Sequence, residues 1–320
     1  MGLFCLMNMY SATTTYNQSE LLQKVYKLGK EIGNTPIQKI RNLVTNKKVQ
    51  VYAKIEWKQL SGSVKARAGY SIFKAAIENG QLTPGMSLLD ATSGNTGIAY
   101  AEIGRRLHIP VTLCLPENAS KERKEILQSL GARIIFTSRL EGTDGAQLVA
   151  KQLALEQPDK YYYADQYKNE NNWKAHYENT AIEIATQVPD ITHFVEGLGT
   201  TGTFVGTGRR LKGLYPSIRL ISLQPDNPLH ALEGWKHLET AIVPTIYDAG
   251  VADENFQVTT EEAYDMIQSA HRHEGLLLSP SSAANLAGAL SVAKNMEQGV
   301  IVTVFPDNAD KYSEVINKLI

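Results

Sequence analysis

The sequence predicts an α/β protein of two doubly wound domains with mostly parallel sheets. From about residue 30 onward, β-rich runs alternate with segments of helical apolar spacing. The chain has 320 residues, which is enough for two domains. Four turns that lead from a strand or loop into a helix are rich in small polar residues. In parallel sheets, ligands bind in such turns, at the carboxyl ends of the strands.

The apolar periodicity places the individual elements. Strands are predicted at 49–55, 87–90, 111–115, 133–137, 193–196, 219–223 and 300–305. Helices are predicted at 66–79, from the turn at 92–97 to about 107, at 120–130, from about 204, at 260–273 and at 282–294. Helices of 10–15 residues between strands favour parallel pairing. Two series of such units meet near residues 158–172, where we predict an internal boundary.

Composition and charge exclude several classes of protein. The formal net charge is −1, whereas a nucleic-acid binder carries a basic excess. No stretch approaches the ~20 apolar residues of a membrane span, and the first ten residues lack the features of a signal peptide. Cys5 and Cys114 are too few for a disulfide framework, which favours a cytoplasmic location. His271 and His273 point in different directions on a helix, so no metal site is predicted.

A lysine and three polar turns could carry chemistry. In Ser61-Gly-Ser-Val-Lys65 the lysine stands directly before a helix, although a lone lysine is usually a surface charge. Thr92-Ser-Gly-Asn-Thr-Gly97 gathers backbone N–H groups and polar side chains at a helix start, which suits a carboxylate or phosphate. Gly197-Leu-Gly-Thr-Thr-Gly202 is a second such cradle, without the lysine of a Walker loop. Ser279-Pro-Ser-Ser282 alone is typical of a helix cap.

Two other classes of protein could use the glycine-rich turn at 197–202. A nicotinamide-dependent dehydrogenase needs an acid at the end of the next strand. Gln224 stands there and Asp226 lies beyond a proline, so this acid is poorly placed. A non-catalytic ligand-binding protein is the second alternative, and the presence of both Lys65 and Asn95 argues against it.

Taken in order, the motifs resemble the β-family, or fold type II, of pyridoxal-phosphate enzymes. Within that family they are most similar to the O-acetylserine sulfhydrylases, or cysteine synthases, and nearer to the B-type. The resemblance runs from about Leu28 to Tyr312. It is carried by Gly33-Asn-Thr-Pro36, Ser61-Gly-Ser-Val-Lys65, Thr92-Ser-Gly-Asn-Thr-Gly97, Pro116-Glu-Asn118, Gly199-Thr-Thr-Gly-Thr203 and Ser281. It implies a tryptophan-synthase-β-like fold, pyridoxal 5'-phosphate as the cofactor, and a homodimer.

The resemblance also implies a role for each matched residue. Lys65 is the catalytic residue, which is joined covalently to the cofactor and, once displaced, removes the α-proton of the substrate. Asn95 bonds the ring hydroxyl of the cofactor, and Ser281 faces its pyridine nitrogen. The cofactor phosphate lies on Gly199, Thr200, Thr201, Gly202 and Thr203. The substrate carboxylate is bound by Thr92, Ser93, Gly94, Thr96 and Gln166.

The implied reaction is β-replacement on an activated L-serine, O-acetylserine or O-phosphoserine, with sulfide to give L-cysteine. The alternatives are synthesis of cystathionine or diaminopropionate, and deamination of serine or threonine. O-phosphoserine needs a cation near the leaving group, and Lys236 is a candidate. The implied domains are an N-terminal extension at 1–29, a larger cofactor-phosphate domain at 30–57 and 166–320, and a smaller mobile substrate-binding domain at 58–165. Thr201 departs from the family pattern, since it replaces a glycine of the phosphate loop.

Overall fold

The computed structural model describes residues 17–92 and 94–320, and within these residues the strands form two sheets. The strands are β1 (Ile37–Ile40), β2 (Val49–Ile55), β3 (Ser87–Ala91), β4 (Val111–Pro116), β5 (Arg133–Thr137), β6 (Tyr161–Tyr163), β7 (His193–Gly197), β8 (Arg219–Pro225), β9 (Glu254–Val258) and β10 (Gly299–Phe305). The larger sheet has the order β1-β2-β10-β7-β8-β9, and the smaller has the order β5-β4-β3-β6.

Parallel pairing dominates both sheets. Every neighbouring pair in the described residues is parallel except β1 with β2, which lie antiparallel at one edge. Strand β10 lies inside the larger sheet, where Val302 pairs with Tyr52 on one side and with Phe194 on the other. The predicted α/β class with mostly parallel sheets is therefore confirmed.

Helices connect and cover the strands. They are α1 (Gln18–Gly29), α2 (Lys65–Glu78), α3 (Asn95–Leu107), α4 (Lys121–Ser129), α5 (Gly142–Glu156), α6 (Glu170–Ala175), α7 (Ala181–Gln187), α8 (Gly202–Leu214), α9 (Thr260–Glu274), α10 (Pro280–Asn295) and α11 (Ser313–Leu319). The predicted strands and helices are all present, with ends shifted by one or two residues at most. Among the described residues, no helix is long and apolar enough to cross a bilayer.

Apolar clusters lie on both faces of each sheet. In the larger sheet, one cluster contains residues of α9 and α10, and the other contains residues of α7 and α8. In the smaller sheet, helices α1 to α4 contribute to one cluster, and α5 covers the opposite face through Ala146 and Ala150. This two-sided burial explains why the central strands are apolar along their whole length instead of alternating.

Helix α1 was not predicted from the sequence. It begins at the N-cap Asn17, whose side chain accepts a hydrogen bond from the Glu20 N–H. Leu21, Val25 and Leu28 are buried in the cluster that also contains residues of α2 and α3. Residues 18–29 thus add to the core beside the smaller sheet. Residues 1–16, the rest of the predicted extension and the location of Cys5, lie outside the described residues.

A buried ion network joins α2 to the larger sheet. The Arg67 side chain bonds Glu56 through Nε and Glu183 through Nη1, each at 2.7 Å. The Lys54 amine pairs with the other oxygen of Glu183, also at 2.7 Å. Burial acts to raise the pKa of Glu183, but Arg67 and Lys54 outweigh this effect and hold the pKa at about 2. Two cations and two carboxylates thus balance each other between β2, α2 and α7.

Candidate active site

One pocket brings most of the predicted site residues together. It is lined by the predicted residues Lys65, Thr92, Gly94, Asn95, Thr96, Gln166, Gly199, Thr200, Thr201, Thr203 and Ser281. Gly202 begins α8 and packs against Asn172, where a Cβ would overlap the Asn172 side chain. Ser93 lies outside the described residues. Turns that are separated by more than 200 residues in sequence therefore meet at the carboxyl ends of the strands.

Lys65 is the first residue of α2 and lines the floor of this pocket. Burial lowers the pKa of its amine, against the opposing effect of the nearby carboxylates Glu196, Asp307 and Glu56. No hydrogen bond or ion pair joins its amine to another residue in the described part of the chain. An amine in this environment can react as a neutral nucleophile.

The turn between β7 and α8 forms an anion cradle. Thr201 precedes the helix with φ of +72°, a left-handed conformation that favours glycine and is strained for a β-branched residue. Its Oγ1 is buried and has no hydrogen-bond partner among the described residues. At Gly199 a Cβ would overlap the carbonyl oxygen of Gly234. The turn therefore offers an unpaired hydroxyl beside a helix N-terminus, which suits a phosphate group.

Asp307 follows β10 and joins polar groups from three elements. The Asn95 amide and the Tyr312 hydroxyl both donate to Asp307 Oδ2 at 2.7 Å. The Ser281 hydroxyl donates to Oδ1 at 3.4 Å. Asn95 Oδ1 is buried and no described residue donates to it. Asp307 thus fixes the orientation of Asn95 and leaves the amide oxygen for a ligand.

The predicted carboxylate-binding residues are connected to each other and to the phosphate loop. The Thr96 hydroxyl donates to Gln166 Oε1 at 2.7 Å, and the Gln166 backbone N–H donates to Asp90 Oδ2 at 3.2 Å. Asn172 donates to the Gln166 carbonyl oxygen at 2.7 Å and to Thr200 Oγ1 at 3.1 Å. Burial raises the pKa of Asp90 to about 7. These hydrogen bonds fix the position of the turn at 92–97 relative to the turn at 197–202.

Two ion pairs lie at the pocket and join the smaller sheet's helices to the loop that follows β8. Arg123, near the start of α4, pairs with Glu233 and stacks over the Tyr312 ring at 5.0 Å. Lys236 pairs with Asp144 of α5 at 3.0 Å. All of these residues except Asp144 line the pocket. The predicted candidate cation Lys236 is therefore at the site, with a carboxylate partner.

Sequence reasoning missed several lining residues. Glu196, Asp307 and Tyr312 lie in or beside the pocket, and none of them belongs to a recognisable motif. A weak pattern was available for two of them, because Glu196 ends an apolar strand and Asp307 follows another. A charged residue at that point of a parallel strand faces the ligand edge of the sheet.

The residues of this pocket fit pyridoxal phosphate, the cofactor that the resemblance implies. The amine of Lys65 is available for the aldehyde, and the buried Thr201 hydroxyl and Asn95 amide oxygen lack partners among the described residues. Because Gly199 has no side chain, its backbone can lie directly against the loop at Gly234. The sites for an amine link, a phosphate and a polar ring substituent therefore occur in one pocket.

Comparison with known proteins identifies the family. A family model described as "Pyridoxal-phosphate dependent enzyme" matches residues 28–307. The chain is 44% identical to a cysteine synthase of Aquifex aeolicus (strain VF5) over 88% of this chain and 89% of that protein. It is 34% identical to cysteine synthase B of Escherichia coli (strain K12) over 89% of this chain and 93% of that protein.

A solved structure agrees with these relatives. The crystal structure of O-ureido-L-serine synthase superposes with a TM-score of 0.86 at 29% identity, over 92% of this chain and 95% of that chain. The family, the fold type and the cofactor expected from the sequence are confirmed by these matches. The chain therefore belongs to the cysteine synthase family of pyridoxal-phosphate-dependent enzymes, which have fold type II.

Proposed function

We propose that this enzyme makes L-cysteine by β-replacement on an activated L-serine, with sulfide as the nucleophile. One observation carries the proposal. The Lys65 amine lies in a single pocket with a phosphate cradle on one side and the Thr96–Gln166 pair on the other. Such an arrangement serves an amino-acid substrate whose carboxylate and reacting carbon must both be held. The names of the cysteine synthase relatives agree with it.

In this mechanism the cofactor, when bound, supplies the electron sink for chemistry at the α-carbon. Thr92, Thr96 and Gln166 bind the substrate carboxylate, as do Ser93 and Gly94 by resemblance. The Lys65 amine, made less basic by burial, takes the α-proton as general base. Loss of the β-substituent, addition of sulfide at the β-carbon and return of the proton from Lys65 to the α-carbon then give cysteine, while the pocket excludes water.

O-acetylserine is the donor that the pocket favours. Among the described residues that line it, the cations besides Lys65 are Arg123 and Lys236. Both are paired, with Glu233 and Asp144 respectively. A phosphate leaving group would have to compete with these carboxylates, whereas the neutral acetyl ester needs no free cation.

Steady-state assays of the purified protein test this choice. We expect kcat/KM with O-acetylserine and sulfide to exceed that with O-phosphoserine by at least about tenfold, a difference of ~1.4 kcal/mol in transition-state binding. Homocysteine replaces sulfide in a parallel assay, which tests cystathionine formation as the alternative. Equal or better turnover of O-phosphoserine would overturn the donor assignment, and faster reaction with homocysteine would overturn the acceptor.

A substitution at Gly199 tests the phosphate cradle. Gly199→Ala places a methyl group against the Gly234 carbonyl oxygen and pushes the loop out of position. We expect the affinity for pyridoxal phosphate to fall at least about tenfold, measured by absorbance during reconstitution of the cofactor-free protein. Gly213→Ala, near the end of the helix α8 that follows this turn, is the matched control, because its Cβ meets nothing within 4 Å. Unchanged cofactor affinity in Gly199→Ala would contradict the cradle.

The predicted domains suggest that the enzyme closes over its substrate. We propose that the unit at 58–165 closes over the substrate against the unit formed by 30–57 and 166–320. The Arg123–Glu233 and Lys236–Asp144 ion pairs support this proposal, since each joins one unit to the other beside the pocket.

We also propose a homodimer in the cytoplasm. The homodimer rests on the family resemblance, and the location rests on a chain with two cysteines, of which Cys114 is buried and free.

A further inference from the structure

Two buried polar side chains contact the threonines of the phosphate turn at 199–203. Asn172 of α6 is 2% exposed and His176, which follows α6, is 1% exposed. Asn172 Nδ2 lies 3.1 Å from Oγ1 of Thr200, and His176 Nε2 lies 3.4 Å from Oγ1 of Thr203. Neither Asn172 nor His176 lines the pocket, so any effect on a ligand must pass through the two threonines.

The contacts of Asn172 fix the direction of its amide group. Its Nδ2 atom lies 2.7 Å from the backbone carbonyl oxygen of Gln166, which can only accept a hydrogen bond. The nitrogen of the amide, and not its oxygen, must therefore face this carbonyl. A Cβ at Gly202 would overlap the amide oxygen, so that oxygen lies against the first residue of α8. The N–H groups at a helix start give it a partial positive charge, which suits the same orientation.

This orientation determines what the Thr200 hydroxyl can do. The amide nitrogen has a second N–H, which donates to Thr200 Oγ1, and it has no capacity to accept. A hydroxyl carries one proton, and Thr200 cannot donate that proton to a group that only donates. Within residues 17–92 and 94–320, the Thr200 hydroxyl forms no other hydrogen bond. Its proton is therefore left for the pocket, which Thr200 lines.

His176 does not impose a direction on the Thr203 proton in this way. Burial lowers the pKa of His176 well below its usual range, so its ring is neutral. A neutral imidazole donates through one nitrogen and accepts through the other. His176 Nδ1 lies 2.9 Å from Thr180 Oγ1, and a hydroxyl can serve either tautomer. Of the two buried residues, only Asn172 therefore sets the direction of a threonine proton.

We propose that Asn172 is a positioning residue that turns the hydroxyl proton of Thr200 toward the phosphate of the cofactor. A hydroxyl that donates to a phosphate oxygen forms a charge-assisted hydrogen bond, which is roughly twice as strong as a neutral one. Without the amide, the proton is free to rotate toward another acceptor, and oxygen lone pairs then face the phosphate. The inference rests on the proposed phosphate cradle at 199–203.

Asn172→Ala tests the inference, because it removes both N–H donors and adds no charge. The full chain is freed of cofactor with hydroxylamine, and the dissociation constants of pyridoxal 5'-phosphate and of pyridoxal are measured by absorbance titration. Both probes carry the same aldehyde, so the ratio of their constants isolates the phosphate. We expect this preference for the phosphorylated probe to fall at least about tenfold, as for the loss of one hydrogen bond to a charged group.

Asn171→Ala is the matched control on the same helix. The Asn171 amide donates to Asn169 at 3.0 Å, and Asn171 does not line the pocket. We expect this variant to keep the wild-type preference for the phosphorylated probe. An equal loss in Asn171→Ala and Asn172→Ala would show a general effect of helix α6 and would overturn the inference.

A double-mutant cycle with Thr200→Val separates proton direction from a purely structural role. Valine resembles threonine in shape and lacks the hydroxyl, so Thr200→Val alone should also lower the preference about tenfold. If Asn172 acts through that hydroxyl, Asn172→Ala causes no further loss in the Thr200→Val protein. Losses that multiply, or an unchanged preference in Asn172→Ala, would refute the proposed role.

Asn172→Asp provides a second variant in case the alanine protein does not fold. Aspartate has the same shape, but its carboxylate accepts hydrogen bonds and draws the Thr200 proton away from the phosphate. We expect a loss at least as large as in Asn172→Ala, and an unchanged preference would again overturn the inference. If Thr200→Val and Gly199→Ala also leave the preference unchanged, the cradle itself is wrong. If they lower it and the Asn172 variants do not, the role of Asn172 alone is wrong.

Discussion

Replacing Lys65 with alanine is expected to lower kcat for cysteine formation by about 100- to 10,000-fold. The variant loses the amine that we place as both the attachment point and the general base, and a positioned base contributes about that factor. Borohydride reduction followed by peptide mapping should fix the cofactor on the Lys65 peptide of the wild-type protein. In the variant that peptide cannot carry it.

Lys74→Ala is the matched control for this experiment. Lys74 lies on the same helix α2, and its exposed side chain pairs with Glu78 at 3.7 Å, one turn away. An exposed pair of this kind contributes little to stability. We expect this variant to keep both its turnover and its labelled Lys65 peptide. A Lys65→Ala protein with wild-type turnover, or a label on another lysine, would refute the proposed mechanism.

Arg67→Leu is expected to reduce the free energy of unfolding by about 3–5 kcal/mol, because it leaves buried carboxylates without their main partner. The Arg67 side chain is 1% exposed and Glu56 is 0% exposed, so water cannot replace the lost contacts. Chemical unfolding of the cofactor-free protein, followed by circular dichroism, measures the change. Arg105→Leu is the control, since Arg105 forms a surface pair with Glu102 and should show no measurable change.

The dependence of stability on pH gives a second readout for the same variant. The pKa of Glu183 is about 2 in the folded protein, whereas the ordinary pKa of a glutamate is 4.5. A carboxyl group with a lower pKa in the folded protein than in the unfolded chain stabilises the fold at pH values above its unfolded pKa. This contribution is lost as the pH falls through its folded pKa. The wild-type protein should therefore lose stability between about pH 4.5 and pH 2. Arg67→Leu should weaken this acid dependence, and a loss below ~1 kcal/mol at neutral pH would contradict the role of the network.

The parts of the fold that the sequence predicts are those with strong periodicity and two-sided burial. Strand β4 is buried at every position, and α9 has a capping box formed by Thr259 and Glu262. The missed elements are short or partly exposed. Strand β6 has three residues, and in β9 only Val258 is buried. Such strands are stabilised by pairing with a neighbour, and that pairing is not visible in local sequence.

The site residues that could be predicted from the sequence are those that lie together in one short turn. The motifs containing Lys65, Asn95 and Thr201 are contiguous, so their residue types alone indicated an amine and an anion cradle. Glu196 and Asp307 are single residues more than 100 positions apart. Only the pairing of β7 with β10 brings their strands side by side, and the start of α2 then completes the cluster. Contacts made through the sheet order are not encoded in any short motif.

Helix α1 has a practical consequence for the design of shortened proteins. The family match begins at residue 28, so an expression boundary drawn from that match would delete nearly the whole helix. The deletion would uncover Phe73 and Ile77 of α2, which share a cluster with Leu21 and Val25. An exposed apolar surface of this kind promotes self-association. Truncated versions should therefore start before Asn17.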